Sequence, residues 1–152
     1  MTLDILICTI TKGIVKICDV LLPHQDKVRY LVAYQYTEER FLELIPSALN
    51  ERKDVQLYLY KGEGLSTNRN FAMQKATADL VAYADDDTHF IPESIDKIFS
   101  VFQNNPKADV VFFKASTYTG KPLKDYLEEE QQLLCMPDRY VVRAIEMVCR
   151  RE

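Results

Sequence analysis

The 152-residue sequence predicts a three-layer α/β/α fold around a mainly parallel sheet, and three observations carry that prediction. Apolar periodicity switches repeatedly between the alternation of a strand and the wider spacing of a helix face. The run Leu3–Ile10 is almost continuously apolar, as a strand covered by helices on both faces must be. No Pro-, Gly- or Ser-rich linker and no internal repeat interrupts the series, so one α/β unit is expected.

Leu3–Ile10 opens the chain as a strand at the centre of the sheet. After Gly13, the stripe Ile14, Ile17, Cys18 and Leu21 predicts a helix that stops before Pro23. Tyr30–Tyr36, rich in aromatic and β-branched residues, predicts a second strand. Phe41, Leu44, Ile45 and Ala48 propose a second helix, which Pro46 ends or kinks at about Ile45. Val55–Tyr60 alternates as a third strand. A glycine loop then gives way to a helix with Ser66 or Thr67 as its expected N-cap. Leu80–Ala84 forms a fourth strand running into Asp85, Asp86 and Asp87. Pro92 and Glu93 open a further helix with Ile95, Ile98, Phe99 and Phe102 on one side. Asp109–Ala115 is a fifth strand, ended by the turn Thr119-Gly120-Lys121-Pro122. Beyond it, DYLEEEQQLL fits a polar helix or a solvated loop, and a strand over Tyr140–Cys149 is expected. The alternation βαβαβαβαβ implies right-handed crossovers and helices on both faces.

Composition narrows the function. At 47% hydrophobic and 28% charged, the chain can bury a core and is not a disordered or low-complexity sequence. Nineteen basic against 23 acidic residues leave a formal charge of −4, which argues against generic binding to nucleic acid. Cys8, Cys18, Cys135 and Cys149 form no C-x-x-C pair and read as small buried hydrophobes in a reducing compartment. The first residues lack a basic segment followed by an apolar core, and no apolar run approaches the ~20 residues of a membrane span. A cytoplasmic location without a transmembrane segment is the expectation.

Two stretches could carry chemistry. Asp85, Asp86 and Asp87 stand at the carboxyl end of a central strand, where open α/β sheets bind ligands. If extended backbone persists there, Asp85 and Asp87 share a face and offer hard oxygens of the kind Mg²⁺ and Mn²⁺ prefer. The plainer reading is a solvated turn, but three adjacent like charges repel unless a cation offsets them. In the second stretch, Gly62 and Gly64 permit close backbone approach and lead into a helix N-terminus suited to an anion. Arg69 in that first turn opposes the helix dipole and calls for an acidic or phosphate partner, with Asn68 and Asn70 as turn formers. His89 could add a metal ligand, although its spacing suits a residue leaving the strand. Tyr36, at a strand end, could flank a nucleotide ring.

Together, Gly64–Pro92 (GLSTNRNFAMQKATADLVAYADDDTHFIP) resembles the family 2 glycosyltransferases of GT-A fold, in which G-L-S-x-x-R-N-x-A precedes a strand ending in D-x-D. The resemblance implies a nucleotide-sugar donor bound with Mg²⁺ or Mn²⁺ at Asp85 and Asp87, Arg69 near the diphosphate and Asp86 near the sugar or ribose. Thr9 and Thr11 end the first strand without the proline usual in the family. Gln35 and Glu38 stand where an acidic motif usually holds the base, leaving the nucleotide open among UDP, GDP and dTDP. The implied reaction is inverting sugar transfer to a saccharide or lipid-linked acceptor hydroxyl, in cell-surface polysaccharide synthesis. Residues 1–122 would form the nucleotide-sugar-binding α/β domain and 123–152 the start of an incomplete acceptor-side region. The catalytic base is unassigned: Glu128, Glu129, Glu130, Asp138 and Glu146 have no family context, so the chain alone is expected to be inactive. The alternative is a non-catalytic α/β metal- or nucleotide-binding regulatory domain.

Overall fold

The computed structural model describes residues 1–126, 128 and 142–151, and among these six strands form one mixed sheet in the order β3-β2-β1-β4-β6-β5. β1 (Leu3–Ile10) lies between β2 (Val28–Tyr36) and β4 (Leu80–Asp85), and β3 (Val55–Lys61) lies outside β2, all four parallel. The near-continuous apolar run of β1 is explained by this placement, since Leu3 to Thr9 are all buried.

Its alternate residues feed two cores. Leu3, Ile5 and Ile7 join Tyr30, Val32, Tyr34, Ile95, Ile98 and Phe102 in the larger one. That core lies beneath α1 (Ile17–Val20), α2 (Ala48–Glu51) and α4 (Pro92–Asn104). Leu6 and Cys8 face the other way, with Leu31, Ala33 and Val81, against Ala72 of α3 (Leu65–Met73) and Ala76 beyond it. Helices on both faces of a mainly parallel sheet make the expected three layers.

Several elements differ in detail from the periodicity. The first and second helical stripes each begin as a 3₁₀ turn, Thr11–Lys16 and Glu39–Leu44, before short α-helices. The second breaks at Ile45-Pro46, where proline cannot continue the ladder. α3 begins at Leu65 with Gly64 as N-cap, not at Ser66 or Thr67. Gly64 takes φ 104°, which opens the helix early and puts both hydroxyl residues inside its first turn. β5 keeps only Val110–Phe112 of the expected strand, and a hairpin follows in which Ser116 bridges Pro122. Gly120, at φ 80°, turns that hairpin.

The last strand shows the largest departure. β6 (Met147–Arg150) runs antiparallel between β4 and β5, separating two strands that the βαβ alternation places in succession. Tyr140 and Val141 lie outside the described residues, and Arg143–Glu146 fold back instead of extending because the Glu146 carboxylate accepts from the Arg143 amide at 3.1 Å. Arg150 anchors β6 to the end of α4, donating to the carbonyls of Phe102 and Ala108 at 2.9 Å each. A guanidinium at a helix C-terminus also favours the dipole.

Loop ends are tied by buried ion pairs. Arg52 donates to Asp54 and to the Leu22 carbonyl and lies over the Tyr30 ring. The Arg52 hydrogen bonds hold the Asp54 carboxyl below the ordinary range despite its burial. A depressed folded pKa contributes stability that is present above the unfolded value and lost as pH falls through the folded one. Stability is therefore expected to fall below about pH 4, and in Asp54→Asn the part of that slope due to this carboxyl should vanish in urea titrations across pH. An unchanged slope would remove the pair from the acid response.

Candidate functional site

The carboxyl ends of β1, β2 and β4 meet the head of α3 around a cleft of about 130 Å³. Thr9 from β1, Gln35 from β2, Asn68 from α3 and Asp86 after β4 line it, with the half-exposed side chains of Ile10 and Leu65 at the same opening. The Thr9 hydroxyl donates to Asp86 Oδ2 at 2.7 Å, tying the end of the first strand to the turn after the fourth. Gln35 is buried, and its Nε2 donates to the Gly64 carbonyl at 3.4 Å. Gly13 comes so close that a Cβ there would lie 1.8 Å from Asp86 Oδ2 and 2.4 Å from Thr9 Oγ1.

Arg69, one residue after Asn68, donates to Asp85 Oδ1 at 2.9 Å. Because α3 begins at Leu65, Arg69 lies in its second turn and not in the first as expected, so its pairing with Asp85 ties α3 to β4 and does not answer the helix dipole, which fades beyond the first turn. The amides of Leu65, Ser66 and Thr67 precede the first intrahelical bond, from Asn68 N–H to the Gly64 carbonyl, so the helix head offers donors to an anion. Beneath the ion pair, Cys8 stands opposite Asp85 in the sheet. Burial pushes its thiol up to about 12, with Arg69 pulling down and Asp85 pushing up by less, so it is a protonated packing group and not a nucleophile.

The three aspartates do not continue the strand. β4 ends at Asp85, and the chain turns so that the Thr88 amide donates to the Asp85 carbonyl at 3.0 Å and the Thr88 hydroxyl accepts from the Asp85 amide. The alternation expected to bring Asp85 and Asp87 to one face therefore stops at the first of them. Asp85 turns to Arg69, Asp86 to Thr9, and Asp87 is exposed. Their repulsion is relieved by divergence and by a guanidinium. Among the described residues, no three His, Cys, Asp or Glu side chains converge as a ready-made metal cage.

Of the residues singled out by sequence, Thr9, Gln35 and Asp86 share the cleft, while Arg69 and Asp85 pair through α3 and β4. Thr11 and Glu38 are not part of the cleft wall. Thr11, at φ 46°, turns the chain out of β1, and its carbonyl accepts from the Tyr34 hydroxyl. Glu38 is exposed and paired with Arg40. Tyr36 packs against Tyr34 and the larger core, and His89 is exposed with its ring against Tyr118. Asn68, read from sequence as a turn former, is instead a buried helix residue in the cleft wall. The available sequence signal was an asparagine inside a helix, where alanine would serve the helix better.

Among the later acids, Glu129, Glu130 and Asp138 lie outside the described residues, and Glu128 is exposed. Glu146 is buried. Desolvation alone would raise its pKa, but hydrogen bonds from Lys124, Tyr126 and the Arg143 amide outweigh it and hold the carboxyl below its ordinary range. A carboxylate accepting from three donors is a brace between β6 and the hairpin after β5.

The family model for glycosyl transferase family 2 matches residues 13–146. S. aureus TarS 1-349 superposes with a TM-score of 0.77 at 16% sequence identity, over 99% of this chain and 47% of that one. S. aureus TarS 1-349 in complex with UDP gives 0.76 at 15%, over the same shares, and the complex with UDP-GlcNAc gives 0.68 at 16%, over 99% and 45%. The chain thus spans about half the length of these TarS 1-349 chains, and at such identities the likeness shows the fold. No curated protein sequence matches significantly. Because the family model spans most of the chain, including the α3–β4 segment that builds the cleft, the protein belongs to glycosyl transferase family 2 and has the GT-A fold.

Proposed function

We propose that this chain binds the nucleotide-diphospho-sugar donor of an inverting glycosyl transfer, with the nucleoside in the strand-end cleft and the diphosphate toward Arg69 and the head of α3. The observation that carries this reading is the convergence of Thr9, Gln35, Asn68 and Asp86 on one cleft beside a guanidinium near the start of a helix. A uridine nucleotide is the donor proposed, supported by TarS structures in complex with UDP and UDP-GlcNAc.

Arg69 would exchange part of its bond to Asp85 for a phosphate oxygen, and the α3 amides would add neutral donors to the same charge. Thr9 would hold Asp86 in place to meet a ribose or sugar hydroxyl. Asp85 and Asp87 supply hard oxygen donors that suit Mg²⁺ or Mn²⁺ shared with a diphosphate, and the exposed Asp87 carboxylate can reach such an ion without breaking an internal pair. When bound, the metal would neutralise charge growing on the departing diphosphate. A saccharide or lipid-linked hydroxyl would be the acceptor, in cell-surface polysaccharide synthesis, and its activating base is not assigned to a described residue.

Calorimetric titration with UDP, GDP and dTDP, with and without Mn²⁺, tests the reading. UDP is expected to bind, more tightly in Mn²⁺, and Asp87→Ala is expected to lower the Mn²⁺-dependent part about tenfold, as loss of one ligand carboxylate would. Binding of no nucleotide in Mn²⁺ would sink the donor-site proposal. Equal Mn²⁺ enhancement in Asp87→Ala would remove the metal role of that residue.

A further inference from the structure

Among the described residues, one buried side-chain polar atom lacks a hydrogen-bond partner: Asn68 Oδ1. Asn68 is 2% exposed and lines the cleft. The amide cannot be turned round to cure this. Its Nδ2 donates to the Ala33 carbonyl at 3.0 Å and lies 3.4 Å from the Thr9 carbonyl, so the opposite orientation would set an oxygen against two oxygens. Of the donors beside it, the single Thr9 hydroxyl proton is committed to Asp86, and the Gln35 amide, which donates to the Gly64 carbonyl, makes no hydrogen bond to it. A buried acceptor without a partner is costly, and an asparagine here also gives up helix propensity.

We infer that Asn68 Oδ1 is a specificity-determining acceptor that takes a hydrogen bond from an N–H or O–H group of the bound nucleoside. The inference rests on the donor-site reading above and adds the end of the ligand that Asn68 meets. A diphosphate presents acceptors only, so it cannot satisfy this oxygen. The imide N–H of uracil or a ribose hydroxyl can. Asn68 then faces the nucleoside while its neighbour Arg69 faces the diphosphate, two consecutive residues reading the two ends of one ligand. Gln35, the other amide of the cleft, is neutral too, and Asp86 is the one carboxylate among the residues that line it.

The test compares UDP, 3-methyl-UDP, 2′-deoxy-UDP and pyrophosphate by calorimetry on the full chain, in Mn²⁺, for wild type and Asn68→Ala. One of the two analogues is expected to bind wild type about tenfold or more weakly than UDP, as losing a bond to a buried acceptor should cause. Asn68→Ala should bind that analogue and UDP alike, with pyrophosphate affinity unchanged within about twofold. If both analogues bind wild type as UDP does, or if discrimination survives in Asn68→Ala, a buried water serves Asn68 Oδ1 and the inference is overturned while the donor site stands. Absence of UDP binding to wild type overturns both. Should Asn68→Ala fail to fold, Asn68→Leu, branched at Cγ like asparagine and without the acceptor, takes its place in the same series with the same two outcomes.

Discussion

Gly13→Ala is expected to weaken UDP binding by about tenfold or more and to lower the urea midpoint of the chain. The added methyl would lie 1.8 Å from Asp86 Oδ2 and 2.4 Å from Thr9 Oγ1, inside the 2.7 Å hydrogen bond that joins them. Asp86 Oδ2 is the end of a side chain on a half-exposed turn and can swing away, whereas the buried Thr9 must turn its hydroxyl aside within β1, which is where the stability cost falls. Its carboxylate then leaves the position from which it would meet a ribose or sugar hydroxyl. Loss of a charged hydrogen bond is worth about 1.5–3 kcal/mol, or roughly one to two decades of affinity. An affinity within about twofold of wild type, with the variant folded, would separate the Thr9–Asp86 bond from ligand binding.

The largest effect on stability is expected at the other end of the same strand. Asp4 is 0% exposed in β1 and accepts from Arg29 and from the amides of Thr77 at 2.7 Å and Ala78 at 2.9 Å. One carboxylate thereby joins β1, β2 and the loop that enters β4. Asp4→Ala would leave the buried Ala78 amide without its acceptor and Arg29 without its counter-ion. Arg29 keeps 38% of its side chain in water, so the cost falls mainly on the unpaired Ala78 amide, about 1–3 kcal/mol, to be read as a lower urea midpoint at unchanged slope. Asp4→Asn keeps one acceptor oxygen and should lose less. A loss under about 1 kcal/mol in Asp4→Ala would mean the loop amides find water instead.

Asp4 also illustrates what one-dimensional reading passes over. Within the apolar run Leu3–Ile10 it carries no signal of its own, because its partners are 25 and 73 residues away. The strands and helices themselves were legible, since each rests on a local pattern: β1, β2, β3, β4 and α4 all lie within a few residues of the periodic segments. β6 was not. Its place between β4 and β5 depends on Arg150 reaching the end of α4, a contact between distant parts of the chain.

The candidate site divides in the same way. Arg69 and the aspartates were legible because a strand end and the head of a helix after a glycine loop can be located from sequence, Thr9 and Gln35 came through the family resemblance, and the Gly64–Pro92 pattern named a family that the match over residues 13–146 bears out. What those side chains do there was not legible. Alternation put Asp85 and Asp87 together, whereas a turn closed by Thr88 sends the three carboxylates apart. Asn68 passed for a turn former, although its significance lies in one unpartnered oxygen that only the packing of α3 on β1 and β2 can bury. By itself the sequence determined the α/β class, because periodicity is a property of neighbours along the chain, and its resemblance over Gly64–Pro92 pointed to the family and to the neighbourhood of the cleft. The tertiary structure alone decided which polar groups satisfy one another and which acceptor is left without a partner, because hydrogen bonding inside a fold is settled by residues that meet only after the chain has closed.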